Sequence, residues 1–181
     1  MGEFIPIARV ELAAEDIEAA VDVLKSGSLV QGRKIQEFEK AFAEQVGSKH
    51  AIAVSSGTSA LHVAYLAGLN EGDEVLVPSF SHISTASMLC FAGCRPVFCD
   101  IDPRTFTLSI DDARTRLTKK TRAMAPVHLF GNACDMDEII GFASEHNLLV
   151  VWDAAQAHGT KFRGRDTVSY THLTLPTTPY V

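Results

Sequence analysis

The chain has 181 residues, 46% of them hydrophobic and 21% charged, the balance of one ordinary globular domain with a sizeable core. Its net charge of −6, with no Lys/Arg-rich cluster, argues against nucleic-acid binding. No stretch is apolar for long enough to span a bilayer, and residues 1–20 carry no apolar run behind a basic start, so neither a membrane segment nor a secretory leader is expected and the cytoplasm is the default location.

Two amphipathic helices are predicted first. EDIEAAVDVLKSG places Ile17, Ala20, Val21 and Leu24 on one face and stops at Gly27. KIQEFEKAFAEQVG repeats the pattern with Ile35, Phe38, Phe42 and Val46 and closes at Gly47. Short apolar runs then alternate with helical stretches. The runs are HAIAV (50–54), EVLVP (74–78), RPVFCD (95–100), RAMAPVH (122–128) and LLVVWD (148–153), with helices expected near 58–69, 84–92, 110–117 and 136–146. Strands that are apolar on both faces and separated by helices predict an α/β fold: three layers, α/β/α, around a mostly parallel sheet.

Cys90, Cys94, Cys99 and Cys134 lack CxxC spacing and are expected to be reduced, buried thiols. A metal site from Cys90, Cys94 and His82 is set aside, because Cys90 reads as part of a helix's core face. After residue 166 the pattern breaks. VSYTHLTLPTTPYV holds no acid, Lys or Arg, several threonines and two prolines. Residues 167–181 therefore read as a tail, either natively disordered or foreign to the chain.

Ligands of open parallel sheets bind at the carboxyl ends of the strands, and three polar clusters stand there. Ser55-Ser56-Gly57-Thr58-Ser59 follows the first run; glycine admits close backbone approach and a helix N-terminus offers free N–H groups, so the turn suits a phosphate, although any helix can carry such a Ser/Thr cap. It is neither GxGxxG nor a Gly-Lys-Ser/Thr loop. Pro78-Ser79-Phe80-Ser81-His82 follows the second; His82 suits the face of a planar ligand or an ordinary loop position. LLVVWDAAQAHG ends in Asp153, whose burial at a strand tip calls for a cation. Only His158 stands near it at metal-ligand spacing, so no metal site is predicted. Together a phosphate cradle, a stacking ring and a buried carboxylate are what pyridoxal phosphate asks of a protein, the carboxylate keeping the pyridine nitrogen protonated.

These segments resemble the DegT/StrS family of pyridoxal-phosphate-dependent nucleotide-sugar aminotransferases, which has the aspartate aminotransferase fold (fold type I). The resemblance spans about residues 4–166, from IPIARVEL through SGSLVQGRKIQEFEKAFAEQVGSKHAIAVSSGTSALH, GDEVLVPSFSHISTASM, PVFCDIDPRTFTLS and PVHLFGNACDMDEI to VVWDAAQAHGTKFRGR. It implies that residues 1–166 are the N-terminal part of the cofactor-binding large domain, with a helical segment at 1–47, and that the C-terminal small domain is absent. It also implies that Gly57, Thr58 and Ser59 hold the cofactor phosphate and that His82 stacks on the ring, where Phe or Trp is more usual. Asp153 would pair with the ring nitrogen, Gln156 would lie beside the 3-hydroxyl, and His128 would be structural support. The loop 28–34 would border the substrate.

The family's Schiff-base lysine is expected 25 to 30 residues beyond DAAQAHG. Lys161 falls too early, so no catalytic lysine is assigned and the chain by itself is expected to be inactive. The implied parent reaction moves an amino group from L-glutamate to a nucleotide-linked keto-sugar, for polysaccharide biosynthesis, in a cytoplasmic homodimer. A dehydratase of the same family and a non-catalytic protein of the same fold are the alternatives. A truncated sheet would expose an edge and lower solubility.

Overall fold

The structure is a computed structural model and describes residues 10–170. It begins with helices α1 (Ala14–Ser26) and α2 (Arg33–Val46). Both end as the sequence predicts, on glycines whose positive φ (69° at Gly27, 70° at Gly47) turns the chain out of the helix. Among the described residues nothing covers the apolar face of α1: the helix buries no residue, and Ile17 and Leu24 are exposed. Helix α2 buries Ala43 and Val46, while Phe38 stays exposed beside Phe42.

The domain proper is a parallel sheet of β1 (Glu74–Pro78), β2 (Arg95–Cys99), β3 (Thr121–Met124) and β4 (Leu149–Val150), in the order β2-β1-β3-β4. Four helices connect or flank these strands: α3 (Gly57–Gly68), α4 (Ser84–Phe91), α5 (Ile110–Arg116) and α6 (Met136–Glu145). Side chains alternate across a strand, so each strand feeds two cores. Val75, Val77, Ala123, Ala125, Leu149 and Val151 face Leu61 and Tyr65 of α3 and Leu89 of α4. Leu76, Met124, Val150 and Trp152 face Ile110 and Ala113 of α5 and Met136, Ile139 and Phe142 of α6. The predicted three-layer α/β/α architecture is therefore present. Each fully buried Val or Leu contributes on the order of 1.5–3 kcal/mol.

Local chemistry starts these helices. Ser56 accepts the Ser59 N–H, Ser109 the Asp112 N–H and Asp135 the Glu138 N–H, each a side-chain cap on an otherwise unpaired donor. The chain steps from β1 through α4 to β2 and then crosses back through α5 to β3 on the other side of β1, so the strand order reverses there and a crevice opens at the carboxyl ends of the strands.

Two expectations are corrected. HAIAV is not a strand: residues 51–54 run as irregular chain with Ile52 exposed, because the four-stranded sheet offers them no neighbour to pair with. The Ala53 N–H bonds instead to the Glu39 carboxylate at 2.8 Å. Cys90 is exposed; the inner face of α4 is set by Thr85 and Leu89, and only Cys94, Cys99 and Cys134 are buried thiols. The packed structure continues past residue 166. After a hairpin of β5 (Lys161–Phe162) and β6 (Arg165–Asp166), the chain makes a 3-10 turn at Thr167–Tyr170. Thr167 is fully buried, its N–H on the Thr160 carbonyl at 2.8 Å. The rest of the expected tail, 171–181, lies outside the described residues. Among those described, no helix is long and apolar enough to cross a membrane.

Candidate functional site

The crevice holds a cleft of about 240 Å³ lined by Gly57, Thr58, His82, Asp153 and Gln156, five of the six residues singled out from the sequence. Ser81, Ser84, Leu61, Val127, Leu129 and Ala155 complete its wall. Four separate segments deliver these side chains: the start of α3, the loop after β1, the loop after β3 and the loop after β4.

Ser59 is not in that lining. Its N–H donates to Ser56 Oγ at 3.1 Å, and its hydroxyl lies 3.1 Å from both Ser55 Oγ and Ser56 Oγ. It therefore finishes the helix cap. The N–H groups of Gly57 and Thr58, first in the helix, have no intrahelical acceptor by geometry and border the cleft. At Gly57 a Cβ would meet only the Ala155 Cβ, at 3.9 Å, so the fold itself leaves open the space that glycine provides.

His82 is anchored at one ring nitrogen. Nδ1 accepts the Ser84 N–H at 3.2 Å and lies 2.6 Å from the Ser84 hydroxyl, which leaves Nε2 and the ring face to the cleft. Gln156 is oriented by its amide oxygen, which accepts the Phe130 N–H at 2.8 Å. An oxygen used in this way leaves the NH₂ group to donate. Phe130 pays for that contact with a left-handed backbone (φ 55°), unusual for a bulky residue and placed at the rim of the site.

Asp153 is 6% exposed and continues β4, its N–H on the Pro126 carbonyl at 2.9 Å and its own carbonyl accepting the His128 N–H at 3.0 Å. Its carboxylate takes the Thr85 hydroxyl on Oδ2 at 2.7 Å and the Ala155 N–H on Oδ1 at 3.2 Å. Both donors are neutral, and among the described residues no ion pair includes Asp153. A buried carboxylate with lone pairs left over and no cation is a site made for one. No group of three or more His, Cys, Asp or Glu that could hold a metal occurs among the described residues.

His128 is fully buried and stacks on Trp152, with ring centroids 5.0 Å apart and planes 10° from parallel. Its Nδ1 accepts the Cys134 N–H at 3.0 Å. Nε2 is buried without a partner, and burial pushes the ring down to about 4 against the opposing charge of Asp153. It does not line the cleft. His158 stands on the other side of Asp153, in an apolar groove between α3 and β4, edge-on to Phe42 at 5.7 Å. Lys161 projects from the β5–β6 hairpin, exposed, and no lysine lines the cleft.

Sequence reasoning missed Thr85 and Tyr65, and named Ser81 only as part of the polar cluster around His82. Thr85 lies in the first turn of α4, just after the loop that carries His82, and its contact with Asp153 joins residues 68 positions apart, so no local spacing signals it.

Free N–H groups bordering the cleft, a ring face, an amide donor and a buried carboxylate without an ion pair fit the pyridoxal phosphate expected from the sequence. Comparison with known proteins agrees. The profile of the DegT/DnrJ/EryC1/StrS aminotransferase family matches residues 10–175. A GDP-perosamine synthase of Caulobacter vibrioides is 51% identical over 135 residues, 74% of this chain and 36% of that protein. DesV of S. venezuelae superposes with a TM-score of 0.81 at 39% identity, over 84% of this chain and 42% of its own. The E. coli GDP-4-keto-6-deoxy-D-mannose-3-dehydratase with bound hydrated PLP gives 0.82 at 30% identity, over 88% of this chain and 43% of its own. The chain thus spans less than half the length of these relatives.

Proposed function

The chain belongs to the DegT/DnrJ/EryC1/StrS aminotransferase family, whose cofactor is pyridoxal phosphate, and from that premise we propose that the whole protein transfers an amino group from L-glutamate to a keto-sugar carried on a nucleotide. The observation that carries this reading is the convergence of Gly57, Thr58, His82 and Gln156 on a buried Asp153 that lacks a cation. When bound, the cofactor supplies an electron sink for the carbanion formed at the amino-bearing carbon. The protein's part is to bind and orient it. The N–H groups of Gly57 and Thr58, with the Thr58 hydroxyl, receive the phosphate at the positive end of α3. His82 covers one ring face. Asp153 holds a proton on the ring nitrogen, and the Gln156 NH₂ donates to the ring's 3-oxygen.

The 51% identical relative supports a GDP-linked sugar as the substrate class. A homodimer is the proposed assembly, from the family resemblance and from the apolar side chains that α1 leaves in solvent. Four unpaired thiols fit a cytoplasmic location.

Two experiments test this reading. The full-length gene product, given GDP-4-keto-6-deoxymannose and L-glutamate, should form an amino-sugar nucleotide and 2-oxoglutarate; release of a deoxygenated sugar instead would favour a dehydratase, the second reading, which the 30% identical dehydratase supports. The 181-residue chain, incubated with pyridoxal phosphate and then reduced with borohydride, should carry no stoichiometric adduct at Lys161, because that side chain stands outside the cleft. A single adduct there would overturn the arrangement.

A further inference from the structure

The carboxylate of Asp153 is held by a short chain of hydroxyls that the reaction scheme above does not use. Thr85, 1% exposed, brings its Oγ1 to 2.7 Å from Asp153 Oδ2, and Ser81 Oγ lies 3.0 Å from that same Oγ1. Counting protons gives the chain a direction. An ionised carboxylate only accepts, so the single Thr85 proton points at Asp153, and Ser81 must then be the donor to Thr85. The remaining parts fix Thr85 in place. It is β-branched and therefore stiff at χ1, and its carbonyl accepts the hydroxyl of the fully buried Tyr65 at 3.0 Å. Desolvation holds the Tyr65 phenol well above its ordinary range, so it stays a donor. With Ala155 N–H on Oδ1, both carboxylate oxygens are pinned and the plane of the carboxylate cannot rotate.

We propose that Thr85 is a positioning residue for the cofactor, and that the relay Ser81 → Thr85 → Asp153 fixes the plane of the Asp153 carboxylate against the ring nitrogen. The proposal rests on the cofactor reading above. Ser81 lines the cleft while Thr85 does not, so the relay reaches from the cofactor's surroundings to a donor buried behind the acid. Its chemistry concerns orientation: a carboxylate free to turn would present its lone pairs to the ring nitrogen only part of the time.

The test uses the chain with ring-¹⁵N-labelled pyridoxamine phosphate, whose amine does not condense with surface lysines. Trp152, the only tryptophan and the neighbour of Asp153, reports binding by fluorescence, and the ¹⁵N resonance reports the proton on the ring. Thr85→Val should weaken binding about tenfold, the scale of one lost hydrogen bond to a charged group, and move the ¹⁵N resonance toward the unprotonated position. Thr85→Ser, which keeps the hydroxyl, should restore both. Ser81→Ala, at the cleft surface, should give a smaller shift in the same direction and serves if Thr85→Val fails to fold. A ¹⁵N resonance unchanged in Thr85→Val, or in Ser81→Ala where only that variant folds, overturns the relay, because a merely structural role would lower the melting temperature without moving it. Absence of binding by the unmodified chain overturns the cofactor reading itself and the relay with it.

Discussion

His128 illustrates how far burial governs a single side chain here. The ring sits at about 4, pushed down by desolvation against the pull of Asp153, whereas a histidine in the unfolded chain titrates near 6.5. Between those values the unfolded chain holds a proton that the folded chain lacks. Stability therefore rises with pH through that window and is lost as the solution is acidified from about 6.5 toward about 4. Going from pH 7 to pH 5 should remove about 2 kcal/mol through this group. His128→Asn keeps an acceptor for the Cys134 N–H and loses the titration. It should be less stable at pH 7 yet flatter between pH 7 and 5 in urea unfolding, and equal slopes for the two proteins would refute the assignment. The sequence marked His128 as support, and its packing agrees. It gave no hint of the stacking on Trp152, because positions 128 and 152 meet only where the ends of β3 and β4 lie side by side.

Helix α3 separates what the fold needs from what the ligand needs. Its cap, Ser56 and Ser59, satisfies the helix, while Gly57 is first in the helix with an ordinary backbone and open space beside it. Gly57→Ala should therefore leave the melting temperature unchanged or raise it slightly, since Ala is the better helix residue by about 1 kcal/mol at most. The added methyl takes room at the cleft wall, so affinity for pyridoxamine phosphate should fall roughly tenfold, the scale of a modest steric clash. A matched loss of stability and binding would mean the glycine serves the fold. The elements themselves were legible where capping and alternation are local, as in α3, α5, α6 and β1. HAIAV was not, because a strand is completed by its neighbours and residues 51–54 have none in this sheet.

For the whole molecule, strands β1, β3 and β4 and the two cores are well covered while the N-terminal helices are not. Ile17, Leu24, Leu29, Val30 and Phe38 are all more than half exposed. Apolar side chains gathered in this way favour association. The chain should sediment as species heavier than one copy at high concentration. Leu24→Lys, at a position exposed enough to change stability by no more than about 0.5 kcal/mol, should shift it toward the monomer. A wild-type chain that remains monomeric throughout would show that these residues are not an association surface.

Composition, the alternation of apolar runs with helical periods, and the polar residues at run ends were enough to set the α/β class and the parallel sheet and to mark Gly57, Thr58, His82 and Asp153 as candidates, with Gln156 added by the family resemblance. All of these are local signals, carried by a residue and its near neighbours. The tertiary structure decided which of them meet. It turned Ser59 to the helix cap, placed Gln156 with its NH₂ free, left Asp153 without a cation and brought Thr85 onto a carboxylate 68 residues away. Such contacts depend on strand order and register, and no short window of sequence contains either.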